Sequence, residues 1–260
     1  FNINEANTSD KMQQIAKEVS PLLTEFSTSI VMNDSLFMRV KTVYDMRDSL
    51  NLDKEDARLL EKIYKSFAEN GANLPADKKE EYKQVLQKLS LASLKFSENV
   101  LAATNAFILN ITDSTDLAGL PQFVIDGAAL EAKNRGLEGW AITLQYPSMG
   151  PFMQYSENRT LKEKVWRAYN TRAIGGEFDN QSVVKEIIGL RIKAANIMGF
   201  PTYADMALRD RMAKNAETVN SFLADLLDKS LPYAKRDVEA IQKYANENGF
   251  EGKLMPWDFS

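Results

Sequence analysis

Apolar and polar residues recur with the period of an α-helix over most of the first hundred positions. The first helical stretch follows a cluster of cap-forming residues from Asn7 to Asp10, and its apolar residues lie three or four positions apart. These residues are Met12, Ile15, Val19, Leu22, Leu23 and Phe26. Pro21 lies inside the stretch and predicts a kink or a break there. Asn33 and Asp53 precede two further helical stretches, the second of which ends near Gly71.

The longest helical pattern begins with Pro75 and Asp77. Charged residues occupy most of its polar positions, and its apolar stripe comprises Tyr82, Val85, Leu86, Leu89, Phe96 and Val100. The pattern predicts one helix of roughly seven or eight turns.

Two short segments are typical of β-strands. Positions 106–112 are rich in β-branched and other apolar residues, and positions 140–146 alternate before Pro147. A helical pattern from Pro121 to about Gly136 lies between them. We therefore expect the two segments to pair as a small antiparallel ribbon, with this helix as an insertion.

Helical periodicity resumes after Asn158 and continues nearly to the end of the sequence. A second helix is expected after Asp179 and Asn180, and a long one from about 216 to 248, in which Pro232 predicts a bend. The sequence therefore predicts a mainly α fold, a multi-helical array with one small antiparallel β-ribbon.

The strongest candidate for a region boundary follows the first strand. We expect an N-terminal helical region over positions 1–112 and a ribbon plus helical region over positions 113–260. No Gly/Ser-rich linker and no repeat of fixed length marks any other boundary.

Composition excludes several classes of protein. The chain has 260 residues, 44% apolar and 26% charged, which is typical of a folded protein with a substantial core. Its net charge is −4, with basic and acidic residues interspersed, which argues against a nucleic-acid partner. No apolar run approaches the roughly 18 residues that a membrane-spanning helix needs. We expect a soluble protein of the cytoplasm or periplasm, and the sequence leaves the compartment open.

The chain contains no His and no Cys. It therefore cannot form a disulfide, a thiolate nucleophile, a Ser-His-Asp triad or an imidazole zinc ligand. Any chemistry performed by this chain alone would depend on carboxylates, Lys, Tyr or hydroxyl groups.

Two features of the sequence could bind ions. Glu80 and Glu81 could hold a hard cation, although the neighbouring lysines favour an ordinary charged helix face. The amides of Gly175 and Gly176 could bind an anion at the start of a helix. No phosphate-binding motif is present, so a simple turn is the favoured interpretation.

Aromatic residues are dense between positions 140 and 170. They could line a groove that receives peptide side chains, although core packing is the favoured interpretation. They are Trp140, Tyr146, Phe152, Tyr155, Trp166 and Tyr169. Arg159, Arg167 and Arg172 lie in or near the same region and could pair with a substrate carboxylate, but ordinary surface pairing is favoured.

Several blocks, in a fixed order, resemble the thimet oligopeptidase family of zinc metallopeptidases, and the bacterial peptidyl-dipeptidases most closely. The main ones are WAITLQYP at 140–147, NRTLKEKVWRAYNTRA at 158–173, IIGLRIKAANIMGFPTYAD at 187–205 and MAKN at 212–215. Positions 105–121, with LAGLP at their end, and PWD at 256–258 are also similar.

The resemblance implies an almost entirely helical fold in which two halves flank a deep channel that admits short, unfolded peptides. It also implies a helix with the motif HExxH that binds zinc, which polarises the scissile carbonyl while the Glu of the motif accepts a proton. This chain has no His, so HExxH is absent. We therefore assign no catalytic and no metal-binding residue, and the substrate-binding residues stay unknown.

The sequence supports two hypotheses about function. In the first, the chain is an N-terminal or middle portion of a longer zinc enzyme, trimmed at both ends and cut before the catalytic HExxH region, and is inactive and zinc-free on its own. Apolar surface that the rest of the enzyme would cover could then cause self-association. In the second, the chain is a self-contained helical scaffold or protein-binding module. An HExxH sequence encoded downstream of Ser260 would distinguish the first from the second.

Overall fold

The computed structural model of this chain describes residues 8–259. These residues form two compact units. The first unit consists of positions 8–98 and 182–219, and the second of positions 99–181 and 220–259. The boundary that the sequence suggests, after position 112, stays a prediction.

The first third of the chain is helical, as its periodicity predicts. The helices are α1 (Asp10–Val31), α2 (Asp34–Asp45), α3 (Lys54–Glu69) and α4 (Ala76–Ala106). Side chains cap the first three, because Ser9, Asn33 and Asp53 each accept a hydrogen bond from a backbone N–H in the first turn. Asn7, part of the predicted cap cluster, lies outside the described residues. Helix α1 is continuous through Pro21, so no break occurs there.

The predicted ribbon is confirmed. Strand β1 (Ile108–Ile111) pairs antiparallel with β2 (Trp140–Thr143), and Ile111 lies opposite Trp140. Helix α5 (Gln122–Asn134) is the expected insertion. Both strands are shorter than the segments 106–112 and 140–146, because α4 extends to Ala106 and a further helix begins at Tyr146.

The rest of the chain is helical. It comprises α6 (Tyr146–Tyr155), α7 (Arg159–Asn170), α8 (Gln181–Ile197), α9 (Tyr203–Leu208) and α10 (Ala216–Glu247). Short 3₁₀ turns lie at Arg47–Ser49, Ser114–Leu117 and Pro256–Asp258. Among the described helices, none is long and apolar enough to cross a bilayer.

Each unit has its own core. In the first unit, Met32 of α1, Tyr82 and Val85 of α4 and Ala194 of α8 form a buried cluster. The larger core of the second unit includes Ile142 of β2, Phe152 of α6, Val165 of α7 and Trp257. The ribbon and helices α5, α6 and α7 therefore share one hydrophobic core.

Helix α10 has an exposed apolar stripe, which we call the α10 stripe. Its members fall on one side of the helix at 3.6 residues per turn. They are Phe222, Leu223, Leu226, Leu227, Leu231, Tyr233, Val238, Ile241 and Tyr244. Every residue from 220 to 241 is exposed. Exposed apolar surface of this kind is what the sequence hypothesis expects of a portion of a longer enzyme.

Candidate functional site

A groove of about 420 Å³ lies between α6 and α7 in the second unit. Helix α6 contributes one wall and α7 the other. The lining residues are Tyr146, Met149, Gly150, Met153, Gln154, Trp166, Tyr169 and Asn170. Apolar and aromatic side chains with a few amides are typical of a site that receives short peptides or other small ligands.

The two helices are held in place by their buried faces. Phe152 on α6 and Val165 on α7 are both fully buried in the core of the second unit. Asn158 caps α7 by accepting a hydrogen bond from the backbone N–H of Leu161 at 3.0 Å, and its amide donates to Asp116 at 2.7 Å. The groove is therefore built on rigid elements rather than on a loop.

Tyr146 is the most exposed aromatic side chain of the groove, at 76% exposure. Its ring lies against Gly150, where an added Cβ would come within 3.4 Å of the ring. That distance is an ordinary van der Waals contact, so the ring packs against the α6 backbone at Gly150. An exposed aromatic ring supported in this way can stack on a ligand at little cost in conformational entropy.

The structure places the members of the predicted aromatic cluster in different surroundings. Tyr146, Trp166 and Tyr169 line the groove, whereas Phe152 lies in the core. Trp140 also packs against the core, and Tyr155 is exposed and does not line the groove. Trp166 and Tyr169 also pack against the core, so groove lining and core packing, the two interpretations of the sequence, both apply to them.

Arg159 is engaged in holding the end of the described chain against α7. Its Nε and Nη2 donate to the two carboxylate oxygens of Asp258, each at 2.9 Å, and Nη2 also donates to the carbonyl of Lys253 at 3.0 Å. Burial would raise the pKa of Asp258, but Arg159 and the backbone N–H of Met255 outweigh burial and hold that pKa below its ordinary value.

The other two arginines also have partners within the chain. Arg167 pairs with Glu163 at 2.7 Å and lies over the ring of Trp257. Arg172 lies over the ring of Tyr169, 3.7 Å from its centre, and donates to the backbone carbonyl of the same residue. Ordinary pairing, which the sequence favours for these arginines, agrees with these contacts.

The acidic and glycine-rich features also have local explanations. Glu81 pairs with Lys78 and Lys193 at 2.9 and 3.0 Å, and these hydrogen bonds lower its pKa. The N–H of Gly175 donates to the carboxylate of Asp179 at 2.9 Å, so one amide of the Gly-Gly turn already has an anionic partner. These contacts fit the interpretations that the sequence favours: an ordinary charged helix face at Glu80 and Glu81, and a simple turn at Gly175 and Gly176.

The described residues do not fit a zinc ion. The sequence has no His or Cys, and residues 8–259 contain no group of three acidic side chains placed to hold a metal. The groove therefore offers a surface for binding, and we derive no chemical step from it.

A second groove of about 640 Å³ lies in the first unit, between α1 and α4. Leucines and hydroxyl side chains line it, and two of the hydroxyls, Ser20 and Ser90, hydrogen-bond each other at 2.6 Å. We place the candidate site in the α6–α7 groove because it carries the exposed aromatic side chains that can stack on a ligand.

Comparison with known sequences identifies the relatives of this chain. The family model described as "Peptidase family M3" matches residues 152–260, which include the last four residues of α6 and all of α7. The chain is a relative of Peptidase family M3. The resemblance stated from the sequence blocks is thereby confirmed.

Named proteins of this family match the chain along nearly all of its length. It is 30% identical to oligopeptidase A of Escherichia coli over 99% of the chain and 39% of that protein. It is 29% identical to dipeptidyl carboxypeptidase of E. coli over 100% of the chain and 38% of that protein. It is 26% identical to thimet-like oligopeptidase of Dictyostelium discoideum over 92% of the chain and 35% of that protein.

The chain thus spans less than two-fifths of the length of these relatives. Its identities to oligopeptidase A and to dipeptidyl carboxypeptidase differ by one percentage point, so the choice between these two kinds of peptidase stays a prediction. The compartment stays a prediction as well.

Sequence reasoning missed the element that forms half of the groove. The alternation predicts Tyr146 at the end of a strand closed by Pro147, whereas α6 begins at Tyr146, with Gln145 at its N-cap position and Pro147 in its first turn. Proline is well tolerated there, because the first N–H groups of a helix have no intrahelical partner. The signal available was Met149, Phe152 and Met153, three apolar residues at helical spacing that the structure buries.

Proposed function

We propose that this chain is a non-catalytic, channel-forming portion of a zinc-dependent oligopeptidase or peptidyl-dipeptidase that hydrolyses short peptides. One observation carries the proposal: the chain aligns along nearly its whole length with named peptidases, yet its own residues include no His or Cys. A zinc peptidase of the HExxH type needs two His for its metal. The zinc ligands and the catalytic Glu must then come from sequence outside these 260 residues.

Within that enzyme, the α6–α7 groove would form part of the wall that contacts the peptide. Three observations support this role: its aromatic lining, the exposure of Tyr146, and its position in or beside the segment that matches the family model. Such a wall can hold a peptide side chain against Tyr146, Trp166 and Tyr169 without taking part in bond cleavage.

The DNA downstream of the codon for Ser260 tests the proposal of a longer enzyme. We expect the reading frame to continue and to encode HExxH, with a further Glu beyond it. A stop codon directly after Ser260 would contradict the proposal and favour a self-contained helical scaffold or binding module.

Binding of short peptides to the purified chain tests the role of the groove. Trp166 lines the groove, so a bound peptide should change the tryptophan fluorescence in a saturable way. Replacing Tyr146 with Ala removes the most exposed ring and should weaken binding by roughly tenfold.

The control variant is Tyr155→Ala, which removes another exposed tyrosine of α6 that does not line the groove. It should leave the affinity for peptide unchanged. Equal weakening by both substitutions, or no saturable signal with the unsubstituted chain, would contradict the assignment of the groove.

A further inference from the structure

The α10 stripe is the largest exposed apolar feature on a single described helix. Its side chains are between 41% and 68% exposed, and they extend from Phe222 to Tyr244. Helix α10 has no buried residue, whereas the other long helix, α4, contributes Tyr82, Val85 and Ala92 to the buried apolar residues. A helix with one apolar side and one polar side normally packs its apolar side against another surface.

The polar side of α10 gives the helix a defined orientation. Ser221, Asp225, Asp228, Lys235 and Glu239 lie on the side opposite the stripe or at its edge. Asp225 pairs with Lys229 at 2.7 Å. The helix can therefore bury the stripe while its charged side remains in water.

The area of the stripe is sufficient for a specific dimer. Nine large side chains, each about half exposed, present an apolar surface on the order of 800 Å². A standard protein interface buries roughly 800 Å² on each partner. Pairing two stripes would therefore bury an area of the usual size.

The charges near the stripe do not oppose such pairing. Asp237 is the one acidic residue that lies between stripe positions, and its carboxylate is 3.9 Å from the guanidinium of Arg236. Apart from Asp237 and Ser230, the positions within the stripe are apolar, so the stripe can pair with a second copy of itself, as a two-fold symmetric interface requires.

We propose that two copies of this 260-residue chain associate through the α10 stripe as a symmetric dimer. Each stripe packs against the stripe of the other copy. This inference rests on the proposed function only in that additional sequence of the longer enzyme would compete for the same surface, so the dimer is proposed for the 260-residue chain alone. A monomeric chain would overturn this inference and leave the proposed function untouched, because the downstream sequence tests that function separately.

Sedimentation velocity over a wide range of protein concentration measures the association. The double substitution Leu226→Glu and Leu227→Glu places two negative charges on the stripe of each copy. Both leucines are at least half exposed, and Glu has a high helix propensity, so the fold should be unaffected. We expect this variant to dissociate at least tenfold more readily than the unsubstituted chain.

A matched control carries the same added charge on the polar side. Ser221→Glu with Lys235→Gln changes two exposed residues on that side, lowers the net charge by the same two units and should leave the dimer intact. Far-UV circular dichroism checks that both variants keep their helix content. A monomeric unsubstituted chain, association beyond a dimer, or equal dissociation of the two variants would each overturn the proposal.

The absence of cysteine allows a second, independent test. A single cysteine can form a disulfide only between two copies. We expect oxidation to cross-link the chain when one cysteine replaces a stripe residue, in a series over Leu223, Leu227, Leu231 and Val238. Cysteine at Ser221 or Glu239, on the polar side, should not cross-link. Cross-linking on the polar side alone, or at no position of the stripe, would overturn the assignment of the surface.

Discussion

Trp257 is the residue on which the contacts at the end of the described chain converge. It is 4% exposed, it contacts the ring of Trp166 edge-on at 5.7 Å, and the guanidinium groups of Arg159 and Arg167 lie over its ring. Burial and these ring contacts together make it the principal link between α7 and the Pro256–Asp258 turn.

Removing the Trp257 side chain should therefore be costly. We expect Trp257→Ala to lower the free energy of unfolding by about 3–5 kcal/mol, measured by urea denaturation. Trp257→Phe keeps most of the apolar volume and removes an indole N–H that has no hydrogen-bond partner among the described residues. This control should cost less than half as much, and an equal cost for both variants would contradict a role in packing.

Asp258 provides a pH-dependent contribution to stability. Its pKa is lowered in the folded chain, so its contribution is present above the ordinary value of 3.8 and is lost as the pH falls through the folded value. We expect Asp258→Asn to cost about 1 kcal/mol at pH 7, a value reduced because Arg159 is partly exposed to water. The difference from the unsubstituted chain should shrink below pH 3.8, and a difference that stays constant to pH 2.5 would contradict the pairing.

At the scale of elements, Gly139 and Gly189 differ in whether the backbone conformation and the surrounding space require a glycine. Gly139 precedes β2 with φ +82°, and an added Cβ would lie 2.1 Å from the carbonyl oxygen of Ile111. Gly189 lies within α8, and an added Cβ there would meet nothing within 4 Å.

The same substitution should therefore have opposite effects at these two positions. Gly139→Ala should destabilise the chain by more than about 2 kcal/mol, since the positive φ and the contact with Ile111 both oppose a side chain. Gly189→Ala should stabilise it by about 0.5–1 kcal/mol, because alanine has the higher helix propensity. Thermal unfolding measures both, and a shift of the same sign at both positions would contradict the account.

The elements could be predicted where local chemistry determines them. Asn33, Asp53 and Asn158 act as caps because their side chains accept hydrogen bonds from the first turn, and this interaction needs no tertiary contact. Helix α6 could not be predicted in this way. Gly150 and Pro151 lie inside the helix and oppose it locally, and burial of Met149, Phe152 and Met153 in the core outweighs that preference.

At the scale of the whole molecule, the sequence identified the family but not the site. The order of the family-like blocks could be read without a structure, whereas the groove depends on which side of each helix faces the core. Trp166 and Phe152 have similar chemistry, yet only the first lines the groove and the second is fully buried. When both sides of a helix carry aromatic residues, helical spacing alone does not show which side faces the core and which lines the groove.

The central claim is that these 260 residues contribute a binding surface and no metal centre. The most direct measurement combines zinc analysis of the purified chain, after equilibration with zinc and desalting, with an assay for hydrolysis of a short fluorogenic peptide. The account predicts less than one equivalent of retained zinc for every ten chains and no hydrolysis above the rate without protein. One tightly bound zinc per chain, together with hydrolysis that a chelator abolishes, would contradict it.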